Sequence, residues 1–267
     1  MGDELRLWRV LVAARVRSQW QYRTSFLLYA SGSFLGALVD FVALSAIFTK
    51  VPQLGGWGFA EVAFLYGVSG LAFALASFAV GSVANLSRRV KDGTFDSLLL
   101  RPLGTITQLS AEGFALRRIG RVAQAGCVLV LSLTLLELAW TPGRVAVTIV
   151  AVACGTLVYT AVFLATAAVS FWVIEGAEVG NAFTYGGSFL SNQPLDIYAR
   201  WLRQFATFVV PLAFAAYLPV AWVLDKPTPP GIPSALVWAT PLVAMAALLL
   251  SRAMWQAGLH TYRSTGT

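Results

Sequence analysis

The chain has 267 residues, of which 58% are hydrophobic and only 12% charged, with a mean hydropathy of +0.72. A soluble domain carries roughly a quarter charged residues, so this composition cannot wet a globular surface and excludes a soluble protein. The formal charge of +7 is therefore read from its placement about a membrane, ahead of any nucleic-acid reading.

The first element is "ELRLWRVLVAARVRSQWQYR", in which Leu5, Trp8, Leu11, Val12 and Val16 alternate with Arg6, Arg9, Arg15 and Arg17. No apolar run of signal-peptide length interrupts the arginines, so a cleavable leader is not expected. The spacing predicts an interfacial amphipathic helix over residues 1–24, with Trp8 and Trp20 in the headgroup layer. It serves either as a lipid anchor alone or also as a contact for a cytoplasmic partner.

A membrane-crossing helix needs roughly 20 mostly apolar residues. Six stretches qualify: about Ser25 to Thr49, Glu61 to Leu86, Val122 to Ala139, Val145 to Val173, Gln204 to Leu224, and Ser234 to Leu250. The expectation is an all-α integral membrane protein, one domain over 1–267, with no connector long enough to fold in water. With the N-terminus inside, sixteen lysines and arginines fall in inner segments, against Lys50, Arg144 and Lys226 outside. That asymmetry predicts a multi-pass protein with both termini cytoplasmic.

Two inner connectors have internal structure. In residues 88–121, Gly93 should break the helix leaving span two, and Thr94 should cap a short helix with Asp96 at its positive end. Leu98, Leu99 and Leu100 would form its apolar ridge, and Pro102 would stop it after Arg101. Such a helix suits docking to a soluble partner, or is simply an interfacial loop. Residues 174–203, with Glu175 and Glu178 and the broken "FTYGGSFLSNQP", should ride on the cytoplasmic surface or line the inner mouth of a pathway.

Ionisable residues within spans need a reason. Asp40 in span one is either a contact facing the bundle interior or a water-reached acid near the headgroups. Glu137 and Arg144 read as a snorkelling pair. Cys127 and Cys154 lie in apolar runs and His260 lies alone in the tail, so no metal or disulfide spacing exists. Gly32 and Gly36 share a face of span one, open to a dimer contact or to packing within the chain. Pro211 and Pro219 should kink span five.

Three stretches carry a family resemblance. "VKDGTFDSLLLRPL" resembles the segment after the second span in permease subunits of ABC exporters of the type-2 superfamily. "PLDIYARWLRQFATFVVPLAFAAYLP" and the terminal "WQAGLHTYRSTGT" are similar to the six-span branch often encoded as two unlike permeases beside one ATPase. The resemblance implies a coupling helix that fits a cleft on the ATPase. Asp92, Gly93, Thr94, Phe95, Asp96 and Arg101 would make the contact, with Leu98 and Leu99 on the apolar underside.

It also implies a prokaryotic plasma-membrane location and pairing with a second permease, identical or paralogous. Membrane lipid is the remaining partner, and no nucleic acid is expected. The sequence has no G-x-x-x-x-G-K-[ST] phosphate loop. This chain is then not an enzyme and binds no cofactor of its own; ATP and Mg belong to the partner. The cargo expected from the apolar walls is lipophilic or amphipathic. The alternative is a secondary transporter driven by an ion gradient, which would use intramembrane acids such as Asp40. A membrane-bound enzyme would need a polar catalytic constellation that the sequence lacks.

Overall fold

A computed structural model describes residues 2–173 and 176–263, which are helical with no strand among them. Helix α1 (Gly2–Gln21) turns at Tyr22 into α2 (Arg23–Ile47). Helix α3 (Phe59–Val80) tightens through a 3-10 turn, Gly81–Asn85, into α4 (Leu86–Lys91). Two short helices follow, α5 (Asp96–Leu99) and α6 (Thr105–Glu112), then the long α7 (Ile119–Leu135) and α8 (Pro142–Ala168). Among the described residues five runs are long and apolar enough to cross a membrane: Arg23–Ile47, Phe59–Lys91, Leu116–Leu135, Pro142–Phe171 and Ser234–Thr261. The last contains α13 (Thr240–Thr261).

The third of these runs starts earlier than its hydropathy predicts, at Leu116 rather than near Val122, and ends at Leu135. Its arginines are drawn into the helix because each finds a partner. Arg118 Nη1 donates to the Ser77 carbonyl at 2.9 Å, and Arg121 lies over the rings of Phe73 and Tyr185. Beyond Leu135 the chain is extended, so Glu137 lies off the helix. Arg144 does not pair with Glu137 as expected. It bonds the Ala139 carbonyl at 3.0 Å and forms an ion pair with Asp225, whose carboxylate reaches it from the far side of the same end.

The fifth crossing differs most from expectation. Helix α9 (Gly176–Asn181) passes through a π turn, Ala182–Gly186, into α10 (Gly187–Ser191). Gly176 begins beside Ser170, at the end that carries α4 to α6. Asp196, a few residues past α10, accepts from Trp57 Nε1 at 2.9 Å and from the Tyr217 hydroxyl at 2.7 Å. Trp57 lies in the loop at the opposite end, where Lys226 bonds Glu61 at 2.8 Å and the Gly56 carbonyl at 3.0 Å. The chain from 176 to 196 therefore traverses the bundle, and 174–203 does not stay on one face. Glu175 lies outside the described residues.

Since Asp196 and Lys226 sit at the same end, what lies between them cannot be a single span. The run Arg200–Val209, which includes α11 (Arg200–Gln204), and the run Leu212–Val223, which includes α12 (Tyr217–Val223), meet at 77°. They form a re-entrant hairpin that dips in and returns. Val210 is extended ahead of Pro211, as the residue before a proline prefers, and this makes the bend. Pro219 falls in the first turn of α12, where its missing N–H breaks no helical bond and produces no kink. Hydropathy reads this hairpin as a span, because a buried hairpin and a span have the same composition. Arg200 moves with it to the Trp57 end.

Two apolar clusters fill the bundle, one toward each end. Phe41, Trp57, Phe64, Leu195 and Tyr217 belong to the first. Phe73, Leu86, Phe95, Leu98, Tyr159 and Trp255 belong to the second. Helix α3 is the axis and is mostly enclosed, whereas α2 is mostly exposed. Where α7 crosses α2, Gly120 is so close that a Cβ there would stand 2.0 Å from the Ala30 carbonyl oxygen. A Cβ added at Gly32 or Gly36, further along α2, would meet nothing within 4 Å. Packing within the chain leaves that small-residue face unused.

Candidate functional site

The end carrying α4, α5 and α6 forms a ledge across the bundle. Helix α4 stops because Gly93 takes a left-handed φ of +67°, a conformation that a side chain would strain. The turn is closed by Phe95 N donating to the Arg89 carbonyl at 3.1 Å. Thr94 does not cap α5 as expected. Phe95 occupies the capping position without a side-chain bond, while Thr94 Oγ1 turns back to the Arg89 carbonyl at 3.4 Å. Asp96 is the first helical residue, and the helix is a single turn.

The expected contact residues divide into two groups. Phe95 and Leu98 are fully buried in the second core cluster, and Phe95 packs edge-on against Phe171 and Tyr262 at 5.5 and 5.0 Å. Leu99 is 48% exposed and Leu100 87% exposed, so the three leucines are not one ridge. Asp92, Thr94 and Ser97 are also exposed, with Gly93 partly so. Asp96 accepts from the Tyr262 hydroxyl at 2.9 Å. Arg101 pairs with Glu112, which also receives Arg89 at 2.9 Å. A strip of polar and leucine side chains is thereby presented on a turn rooted in the core.

Sequence reasoning missed the residues that root it. Gln108, buried on α6, donates to the carbonyls of Leu98 at 2.9 Å and Leu103 at 2.7 Å. Trp255 Nε1 on α13 donates to Thr105 Oγ1 at 3.1 Å. Helix α1 lies against the far side of the ledge. Trp8 Nε1 bonds Ser110 Oγ at 3.0 Å, and the Gln19 amide clamps both Phe114 O and Leu116 N at 2.8 Å. Trp8 is thus a packing contact and not a free headgroup anchor. Its pairing to Ser110 spans too many residues for any periodicity to signal.

A second site is a cleft in the side of the bundle, between α2, α3, α7 and the α9–α10 run. A cavity of about 320 Å³ is bordered by Asp40, Tyr66, Phe73, Arg121, Gln124 and Tyr185, with Ser188, Asn192 and Gln193 toward the Trp57 end. Asp40 borders this cavity and is itself exposed, so it is at once a cavity-facing acid and one reached from outside. The Gln124 amide nitrogen and the Asn192 amide oxygen are buried there without a hydrogen-bond partner. Among the described residues no cluster of metal-ligating side chains occurs. Chemically, the ledge can bear and transmit force, and the cavity can bind.

A family model described as ABC-2 family transporter protein matches residues 34–266. Neither a curated protein nor a solved structure matches the chain.

Proposed function

The chain belongs to the ABC-2 transporter family, and on that premise we propose that it is the membrane subunit through which a separate ATPase drives export of an amphipathic substrate. One observation carries the reading: an exposed strip, Asp92, Thr94, Leu99 and Leu100, stands on a turn whose Phe95 and Leu98 are buried in the core. A partner that pushes on the strip moves a rigid insert. Phe95 contacts Phe171 at the foot of α8 and Tyr262 at the foot of α13, so the push reaches both helices.

The ATPase would supply ATP and Mg, since the sequence carries no phosphate loop. The ledge, both termini and the arginine-rich segments face the cytoplasm of a prokaryote, and the Trp57 end faces out. With Arg200 and Arg203 moved to that end, two of the sixteen inner charges cross over. Fourteen against five still supports this orientation. A second permease would lie along α2, whose Gly32 and Gly36 are open and allow close approach. Alternating access then follows from different affinities of the cavity in two states.

The test is co-purification of the tagged full chain from its native membranes in mild detergent. An ATPase should accompany the parent and be lost from the Asp92→Lys, Leu100→Glu variant, both positions being exposed. Recovery of no ATPase with the parent would overturn the reading, and its retention by the variant would move the docking surface elsewhere.

A further inference from the structure

We propose that the cavity beside Asp40 binds a cationic amphiphile, its cationic head held at the Trp57 end of the cavity and its apolar body directed toward Phe73 and Tyr185. This names the substrate class of the export reading and rests on that reading only for the word substrate, because binding itself needs no ATPase.

The argument is a matching of donors and acceptors. The Tyr66 hydroxyl gives its proton to the Ala37 carbonyl at 3.3 Å, so its oxygen faces the cavity as an acceptor. The Asn192 amide oxygen is buried and unpartnered, and Asp40 contributes a carboxylate. Asp40 enters none of the ion pairs formed among the described residues. From their places on α2, α3 and the end of α10, these three acceptors occupy the half of the cavity nearer the Trp57 end. A carboxylate at membrane depth carries a large desolvation cost unless a positive charge or water meets it. Asp40 and Asn192 have no facing donor, and the Tyr66 oxygen lies beside them with the Gln124 amide as its neighbour; together they form one side of the shell of an ammonium group.

The other end of the cavity is different. Arg121 lies over the rings of Phe73 and Tyr185 at 5.6 and 5.9 Å, so its charge already rests on aromatic faces. Between the two ends the Gln124 amide nitrogen, on a residue only 2% exposed, lies beside the Tyr66 hydroxyl without a full hydrogen bond to it and can donate to one ligand acceptor. Phe189, Leu44 and Gly70 complete apolar walls. The ligand that satisfies all of these has a cationic head, a hydrogen-bond acceptor below it and an aromatic or aliphatic body. A volume of about 320 Å³ is at the lower end of the range for small-molecule sites.

The test uses two ions of the same shape and opposite charge, tetraphenylphosphonium and tetraphenylborate. Each is equilibrated with the purified full chain in lipid nanodiscs, and binding is counted above that to empty discs. Saturable binding of the phosphonium is expected. Asp40→Asn should weaken it by about tenfold, as loss of one charge pair facing a binding cleft does, and Asp40→Glu should restore most of it. Val39→Ala, next to Asp40 on α2 but exposed and outside the cavity lining, should leave the phosphonium unaffected and shows that a variant of this helix folds. Equal affinity in parent and Asp40→Asn, or saturable binding of the borate alone, would overturn the proposal. Failure here with an ATPase still co-purifying would remove the substrate class and leave the family reading of the ledge intact.

Discussion

The Tyr262 hydroxyl donates to Asp96 Oδ1 at 2.9 Å, joining the end of the last helix to the exposed turn after α4, 166 residues earlier in the chain. The same ring packs on Phe95 at 5.0 Å and on Phe171 at 6.1 Å. Asp96 therefore has a structural partner, and the turn is fixed to α13 as well as to α3. Tyr262→Phe keeps the ring contacts and removes one hydrogen bond, a loss of about 1 kcal/mol. Tyr262→Ala also takes a half-buried ring out of the aromatic cluster and should cost more, about 2 kcal/mol. Thermal unfolding in detergent should rank the parent above Phe and Phe above Ala; an Ala variant as stable as the parent would remove this link from the account.

The pH dependence of that link has a definite sign. Burial, and then the bond to and charge of Asp96, push the Tyr262 phenol up to about 12 from its ordinary 10.0. A group held protonated in the folded state contributes its stability fully below the unfolded value and loses it as pH rises through the folded one. The stability gap between parent and Tyr262→Phe should thus be constant up to about pH 10 and shrink between about pH 10 and 12. Melting curves at both ends of that window check it. A gap that widens with alkali would show that the phenol is not held by Asp96.

Glycines distinguish internal packing from a free face. At Gly120 a Cβ would stand 2.0 Å from the Ala30 carbonyl oxygen and 3.0 Å from Phe34 N, both backbone atoms that cannot swing aside. Gly120→Ala should cost about 1–3 kcal/mol by forcing α7 from α2. Gly32→Ala and Gly36→Ala meet nothing within 4 Å, so the fold of the single chain should not change. Light scattering of the detergent-solubilised variants separates the two effects. If α2 carries the second permease, Gly32→Leu, Gly36→Leu should dissociate the pair at unchanged monomer stability.

What could be read from the sequence follows from how local each signal is. The long apolar runs around Phe64, Cys154 and Ala244 announce their helices by composition alone. Gly93 announced its turn because only a left-handed φ needs it. The tail "WQAGLHTYRS" carried a family likeness, and three of its residues prove to root the ledge: Trp255 on Thr105, Gly258 against Phe171, and Tyr262 on Asp96. The run at Gly176–Ser191 was not legible as a crossing. Its glycines, Asn181 and Ser188 lower its hydropathy below that of a lipid-facing span, yet α3 and α8 cover it and it lines a cavity. The hairpin at 200–223 failed in the opposite sense. It is apolar enough to span, but Asp196 and Asp225 hold both its ends to the same side through Trp57 and Arg144, contacts that no local pattern encodes.

The hairpin makes the clearest prediction, because two topologies put Arg200 on opposite sides of the membrane. If residues 174–203 stayed with the ledge, a cysteine at 200 would react with a membrane-impermeant maleimide only from the side that labels position 92. The contacts of Asp196 with Trp57 and Tyr217, at 2.9 and 2.7 Å, require instead that it label with position 50. The background is Cys127→Ser, Cys154→Ser, since Cys127 is exposed. In intact cells and in inverted vesicles, Arg200→Cys should follow Lys50→Cys in both preparations and oppose Asp92→Cys. Labelling of Arg200→Cys together with Asp92→Cys would return the fifth crossing to 204–224 and separate Asp196 from Trp57. It would also remove Ser188 and Asn192 from the wall of the cavity, because both reach it only if the chain rises through the bundle between Gly176 and Asp196.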